Sequence, residues 1–564
     1  MADPTRLPVV MLWHMHQPQY RDALSGAYVL PWTYLHAIKD YTDMAAHLED
    51  NPAARAVVNF TPLLIEQLEE IAAAVDAHLA RGTALPDPVL ALLSPAPVPA
   101  EPPSRLQLLR ACLRAQRATM IERFPAYAQL ADLAAVLGTP ERIAYASDQY
   151  LQDLAVWYHL AWLGETVRRA QPLAAALARR GAGFSAAERR ELLALIGALV
   201  RDVIPRYRRL AASGQCELSV TPYGHPIIPL LMDFGSAREA LPATPLPAHP
   251  HYPGGAERAA WHVEEAVRVF THAFGTRPRG CWPAEGAISD ATLQLLAAHG
   301  FEWAASGEGV LRGSLEKAGQ APDPLTADRP YRFAGTQLDC FFRNDALSDR
   351  IGFTYATWHG DDAAQNLVNE LLRLADSYAG GGHAVLIALD GENAWEYYPF
   401  NGYYFLRALY QLLASHPRLE LTTLAQCRAR GLSARPLAQV RAGSWVHGTL
   451  ATWMGDADKN RAWDLLCDAK QAFDRVLQGA TLDAEARAAA GRQLALCESS
   501  DWFWWFGDYN PGEAVRQFDE LFRRQLTALY ARLQLPAPAA LASPLCRGAE
   551  GIPEHGGVMR RASA

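Results

Sequence analysis

The chain has 564 residues, half of them apolar and a fifth charged, which is ordinary usage for a folded protein and far from the regime of disordered chains. Its 60 acidic against 52 basic residues leave a formal charge of −8, so no basic excess exists to neutralise phosphates or anionic lipid, and neither nucleic acid nor a membrane surface is expected as a partner. No run of about 18 uncharged apolar residues offers a membrane span, and the 8 cysteines form no CxxC pair or zinc-ribbon spacing, so no disulfide framework or structural metal is expected.

In chain order, residues 8–13 form an apolar run too short for a signal-peptide core and ended by histidines, which predicts a first core strand in a cytoplasmic protein. His14, His16, Gln17 and Pro18 follow at once. Alternate spacing puts both imidazoles on one face of an extended segment, suited to metal ligation or to hydrogen-bonding sugar hydroxyls. No third ligand stands nearby, which favours a role without metal. Similar short runs recur at 56–60, 216–220, 279–282, 301–305, 338–342, 384–389 and 419–423, separated by helical patterns. That alternation predicts a parallel, barrel-like βα architecture whose active site is built by the loops after the strands. Residues 62–210, rich in Ala, Leu and Arg and broken by a Pro-rich stretch at 94–103, read as a helical insertion. Beyond about 455 only helical patterns remain, at 460–477, 483–497 and 512–533, the last with Val515, Phe518, Leu521, Phe522, Leu526, Leu529 and Leu533 near one face. From 536 the composition predicts a loosely attached tail.

Carboxylates come first among candidate chemical groups, because cleaving an acetal needs one group at the anomeric carbon and another to protonate the leaving oxygen. Glu285, in CWPAEGA, lies just past a short strand and beside Trp282. Asp390 ends the strongest strand signal in the chain, where a charge is costly unless it is used. Glu392 falls on the same side two residues later. His36, Asp40, His225 and His383 are polar residues beside apolar runs, each expected to be structural. In SDWFWW, Trp502, Phe503, Trp504 and Trp505 are consecutive, and at about 100° per residue they cannot all face one core. Asp501 flanks them, and Trp445, His447 and Trp453 stand in a Gly-bearing loop that could add aromatic platforms to the barrel mouth.

Taken in order, HQP, GQCELSVTPYGHP, GCWPAE, LDGEN and the aromatic helical segment resemble glycoside hydrolase family 57 over about residues 8–535, closest in character to its α-amylase and amylopullulanase branch. The resemblance implies a distorted (β/α)7 barrel over 1–430 carrying the helical insertion, a C-terminal helical bundle over 431–535 that contributes to the substrate groove, and a flexible tail over 536–564. It also implies a retaining enzyme that acts on α-glucan with no cofactor. Glu285 then matches the nucleophile and Asp390 the general acid/base. His14 and His16 match histidines near the sugar at the cleavage site, and Trp282 the aromatic beside the nucleophile. Asp501, Trp502 and Trp505 match the aromatic segment near the groove, and Gln17, Trp32, His225, Glu392 and Trp453 complete the expected substrate-binding set. One departure stands at Phe342, Arg343 and Asn344, where the family carries FRD. The same residues leave open a 4-α-glucanotransferase or branching enzyme on this scaffold, a metal-dependent deacetylase-like hydrolase using His14, His16 and Asp390, and a non-catalytic glucan-binding protein. The sequence carries no indication of oligomeric state.

Overall fold

The computed structural model describes residues 6–323, 325–378, 382–479 and 482–549. Ten strands occur among them: β1 Leu7–Met15, β2 Ala56–Phe60, β3 Cys216–Val220, β4 Gly280–Cys281, β5 Trp303–Gly307, β6 Tyr331–Phe333, β7 Asp339–Arg343, β8 Val385–Asp390, β9 Leu419–Thr422 and β10 Arg435–Leu437. Seven of these close into a parallel barrel in the order β1, β2, β3, β4, β5, β7, β8 and back to β1. The eight expected runs all form strands, with β4 cut to two residues. The additional β6 and β10, three residues each, are too short to show a period; β6 runs antiparallel to β7 and carries β10 on its far edge.

The distortion lies in the register. β9 takes the first half of one edge of β1, from Leu7↔Leu419 to Val10↔Thr422, while β2 takes the second half, from Leu12↔Val57 onward. Two joints of the barrel are single registered pairs, Val220↔Cys281 between β3 and β4, and Arg343↔Leu386 between β7 and β8. Gly280 fits beside β5 only because it lacks a Cβ, which would stand 1.8 Å from the Trp303 ring.

Strand alternation sorts the side chains. Val10 and Leu12 of β1, Val57 of β2, Ala305 of β5, Phe341 of β7 and Leu386 and Ala388 of β8 fill the barrel interior, whereas Val9, Met11, Trp13, Val385, Ile387 and Leu389 pack outward on the helical shell. The same parity carried one step further gives a polar layer at the C-terminal end of the barrel. His14 is in register with Asn59 and with Asp390, and Asn59 with Ser219.

The insertion is helical from Pro62–Arg81 to Ala186–Ala212, and the latter helix begins at a Ser185–Glu188 capping box and returns the chain to β3. After β10 the described residues hold the helices Ala457–Gln478, Ala484–Cys497, Ser500–Trp505 and Gly512–Arg532, whose stripe from Val515 to Leu533 is buried as its spacing predicts. Leu541, Leu545 and Cys546, in the stretch expected to be loose, are buried, and the Leu545 N–H donates to Asp519 at 2.8 Å; residues 550–564 of the expected tail lie outside the described residues. All 8 cysteines are buried and unpaired. No described helix is long and apolar enough to cross a membrane.

Candidate active site

A cavity of about 1490 Å³ opens over the polar layer. The expected residues His14, His16, Gln17, Trp32, Glu285, Asp390, Glu392, Asp501 and Trp505 all line it, joined by Arg343, Trp445, Trp504 and Tyr509. The helical insertion contributes Arg110 and Leu113 to one wall, and the C-terminal helices contribute Trp504, Glu513 and Phe518 to another.

Asp390 reaches the cavity as the last residue of β8, on the interior parity. Its Oδ2 accepts a hydrogen bond from Asn393 Nδ2 at 2.8 Å. Burial raises its pKa above the ordinary carboxyl range, opposed by Asn393, His16 and Arg343. Glu285 arrives by a different device. The chain leaves β4, continues the ladder through Trp282 N–H to the Val220 carbonyl at 3.0 Å, and turns so sharply that Glu285 adopts a left-handed backbone with φ 57°. Such a conformation costs a non-glycine residue about 1–3 kcal/mol and persists only where the surroundings impose it. Here the Trp445 N–H donates to the Glu285 carbonyl at 3.0 Å and the Trp445 indole N–H to Oε2 at 2.9 Å. Burial, then the charge of Asp390, pushes Glu285 up to about 8, opposed by the indole. Glu392 is also raised, by burial and then by Asp390; Gln17 donates to its Oε1 at 3.3 Å, and Oε2 has no partner among the described residues.

The histidines form an ordered chain. His14 Nδ1 lies 2.7 Å from the Asn59 amide oxygen, which only accepts, so Nδ1 carries the proton. Burial lowers the His14 pKa to about 3 and holds the ring neutral, which leaves its Nε2 bare. His225 Nε2, 3.1 Å away, therefore donates to it, and His225 Nδ1 accepts from the Ser500 hydroxyl at 2.7 Å. His16 is bonded through Nδ1 to Thr61 and through Nε2 to Asp501, at 3.2 and 2.9 Å. Both ring nitrogens of His14 and of His16 are thus committed to protein partners.

His16, His225 and Asp501 are gathered closely enough to suggest a metal site, and they are the one such group among the described residues. The rings of His16 and His225 are stacked at 3.8 Å with planes 11° apart. Their in-plane lone pairs run side by side and do not converge, so the trio does not make a chelating set. The nitrogens of His14 and His16, offered by the sequence for a deacetylase-like centre, are hydrogen-bonded to Asn59, His225, Thr61 and Asp501.

Four expected contact residues lie behind the cavity wall. His225 is fully buried beneath His16. Trp282 is fully buried and packs edge-on against Trp445 at 5.0 Å. Trp453 is fully buried, its carbonyl accepting from the Trp463 indole at 2.9 Å. Trp502 is fully buried against Phe518 and Phe522, its indole donating to the Leu496 carbonyl at 2.9 Å. The helix Ser500–Trp505 divides its aromatics as 100° steps require: Trp502 and Phe503 go inward, Trp504 and Trp505 face the cavity. Of the other polar residues, His36 lines the cavity and pairs with Asp40 at 2.7 Å, whereas His383 stacks on Tyr378 at 3.9 Å away from it. Asn344, where the family motif has aspartate, caps the short helix Asp345–Asp349 by accepting from the Leu347 N–H at 3.0 Å, a task asparagine performs as well as aspartate.

The family model described as glycosyl hydrolase family 57 matches residues 10–432. Among solved structures the fold is similar to that of a branching enzyme of the family from Thermococcus kodakaraensis, crystallised with glucose, at 15% identity over 93% of this chain and 89% of that one with a TM-score of 0.57. It is similar in the same measure to a branching enzyme from Pyrococcus horikoshii, at 16% identity over 97% and 98% with a TM-score of 0.57. An α-amylase from Thermotoga maritima follows at 13% identity over 94% of each chain with a TM-score of 0.55. No curated protein matches the chain in sequence.

Proposed function

The chain belongs to glycosyl hydrolase family 57, and from that premise we propose that it is a retaining α-glucan hydrolase of the α-amylase type, with Glu285 as nucleophile and Asp390 as general acid/base. The observation that carries this reading is the pair itself: two half-buried carboxyls, one ending β8 and one just past β4, both lining one cavity, with the charge on Asp390 raising the pKa of Glu285. Two such groups share a proton, because ionising both next to one another in a buried site is costly. The working form holds that proton on Asp390, which donates it to the glycosidic oxygen while ionised Glu285 attacks the anomeric carbon and forms a β-glycosyl-enzyme. Asp390 then takes a proton from water as the water displaces Glu285, and the configuration is retained. The cavity exceeds the ~300–1,000 Å³ of a drug-sized ligand site and so suits several sugar units.

The same chemistry with a sugar hydroxyl in place of water is glucanotransfer or branching. The presence of Trp504 and Trp505 on the cavity wall favours that second reading, because half-buried aromatic rings beside a cleft suit an acceptor sugar. Product analysis on maltoheptaose and pullulan with the wild type, Glu285→Gln and Asp390→Asn decides between them. Shorter maltooligosaccharides from the wild type and none from either variant support the hydrolase, and maltotriose from pullulan extends it to α-1,6 bonds. Products longer than maltoheptaose support transfer, and unchanged activity in the variants overturns the assignment of the pair.

A further inference from the structure

If Glu285 is the nucleophile, the residue that holds it is Trp445, and the hold is double. One residue donates both to the main-chain carbonyl of Glu285, at 3.0 Å, and to its carboxylate Oε2, at 2.9 Å. Main chain and carboxylate are therefore fixed relative to each other by a single rigid side chain with two rotatable bonds. The loop that carries Trp445 is itself anchored. Gly443 and Ile288 exchange backbone hydrogen bonds at 2.9 and 3.1 Å, on the far side of the Glu285 turn. Within the loop the Ser444 hydroxyl bonds the Thr449 carbonyl at 2.7 Å. The indole leans edge-on against Trp282 and lies under the Arg343 guanidinium, 5.2 Å from the ring centre. Its approach to β5 is so close that a Cβ on Gly307 would stand 2.6 Å from the Trp445 Cα. Oε2 is thus the bound oxygen, and Oε1 carries no hydrogen bond among the described residues.

We propose that Trp445 is a positioning residue for the nucleophile, its indole N–H locking Oε2 so that Oε1 is the oxygen presented to the anomeric carbon. This rests on the reading of Glu285 given above. A donor to a carboxylate also favours its ionised form, so removing the indole N–H raises the pH at which Glu285 gives up its proton. A phenylalanine at this position keeps an aromatic ring against Trp282 and the backbone N–H to the Glu285 carbonyl, and loses only the indole donor.

The test is the pH dependence of kcat/KM on maltoheptaose for the wild type and Trp445→Phe, with the thermal unfolding midpoint as the control for folding and Trp445→Leu, which equally lacks the donor, read in its place if Trp445→Phe does not fold. The expected result is a fall of roughly 10- to 100-fold at the optimum, as for a lost hydrogen bond to a charged group, with the acid limb of the profile displaced upward by roughly one pH unit. An acid limb that stays in place while KM rises overturns the proposal and makes Trp445 a sugar-stacking surface. Full activity in Glu285→Gln overturns the underlying assignment instead, and the two failures are distinguished by which variant shows them.

Discussion

At the scale of single residues, what defines the site is the placement of protons. Glu285 and Asp390 are both raised by burial, Glu285 to about 8 with Asp390 adding to the shift. Coupled carboxyls lose their protons in two steps that belong to the pair, and the active form holds one proton. Activity is therefore lost above the upper step, when no acid remains, and lost again as pH falls through the lower step, when the nucleophile is protonated. A bell-shaped kcat/KM profile with both limbs displaced above the ordinary carboxylate range is the expected outcome, and a profile with no alkaline loss of activity contradicts it. That Glu285 and Asp390 come to one cavity was legible from strand ends and motif order. The hydrogen-bond partners of His14 and His16 were not, because Asn59, His225, Thr61 and Asp501 come from segments 45 to 485 residues away.

At the scale of elements, two loops solve the same problem in the same way. After β3, His225 stands in a left-handed conformation with φ 58°, and Ser500 bonds both its carbonyl, at 2.9 Å, and its ring, at 2.7 Å. After β4, Glu285 stands at φ 57° and Trp445 bonds both its carbonyl and its carboxylate. Each strained residue is clasped by one residue from the C-terminal part of the chain. The glycines beside them, Gly224 and Gly286, also at positive φ, were the available sequence signal for these turns. Strand parity was readable in the runs themselves, since 384–389 places Leu386, Ala388 and then Asp390 on one face. The need for glycine at 280 was not readable, because its reason is a tryptophan on the next strand. Gly280→Ala drives a methyl into the Trp303 ring and is expected to cost about 1–3 kcal/mol of stability, measured by denaturant unfolding.

At the scale of the molecule, the helical parts are joined to the barrel by buried charge as well as by apolar packing. Glu498, at the end of the helix Ala484–Cys497, accepts from Arg258 at 2.6 Å and from His262 at 2.7 Å, and these partners hold its pKa down at about 2 against its burial. Its contribution to stability is present above the unfolded carboxyl range and is lost as pH falls from about 4.3 toward 2. Arg258→Met leaves that carboxylate buried without its main partner, and a loss of about 3–5 kcal/mol is expected in unfolding at neutral pH, shrinking as the pH is lowered. The order of barrel, insertion and helical region was legible from composition. How the three meet around one cavity was not, since nothing local in 502–505 tells which aromatics are buried and which line the cavity.

The two single-pair joints give this architecture a seam. They divide the barrel into one shell of β4, β5 and β7 and another of β8, β1, β2 and β3, stitched by Val220↔Cys281 on one side and Arg343↔Leu386 on the other. Glu285 rides on the first shell and Asp390 on the second. The gap between the two carboxyls therefore straddles the seam between the shells, and neither shell alone holds both.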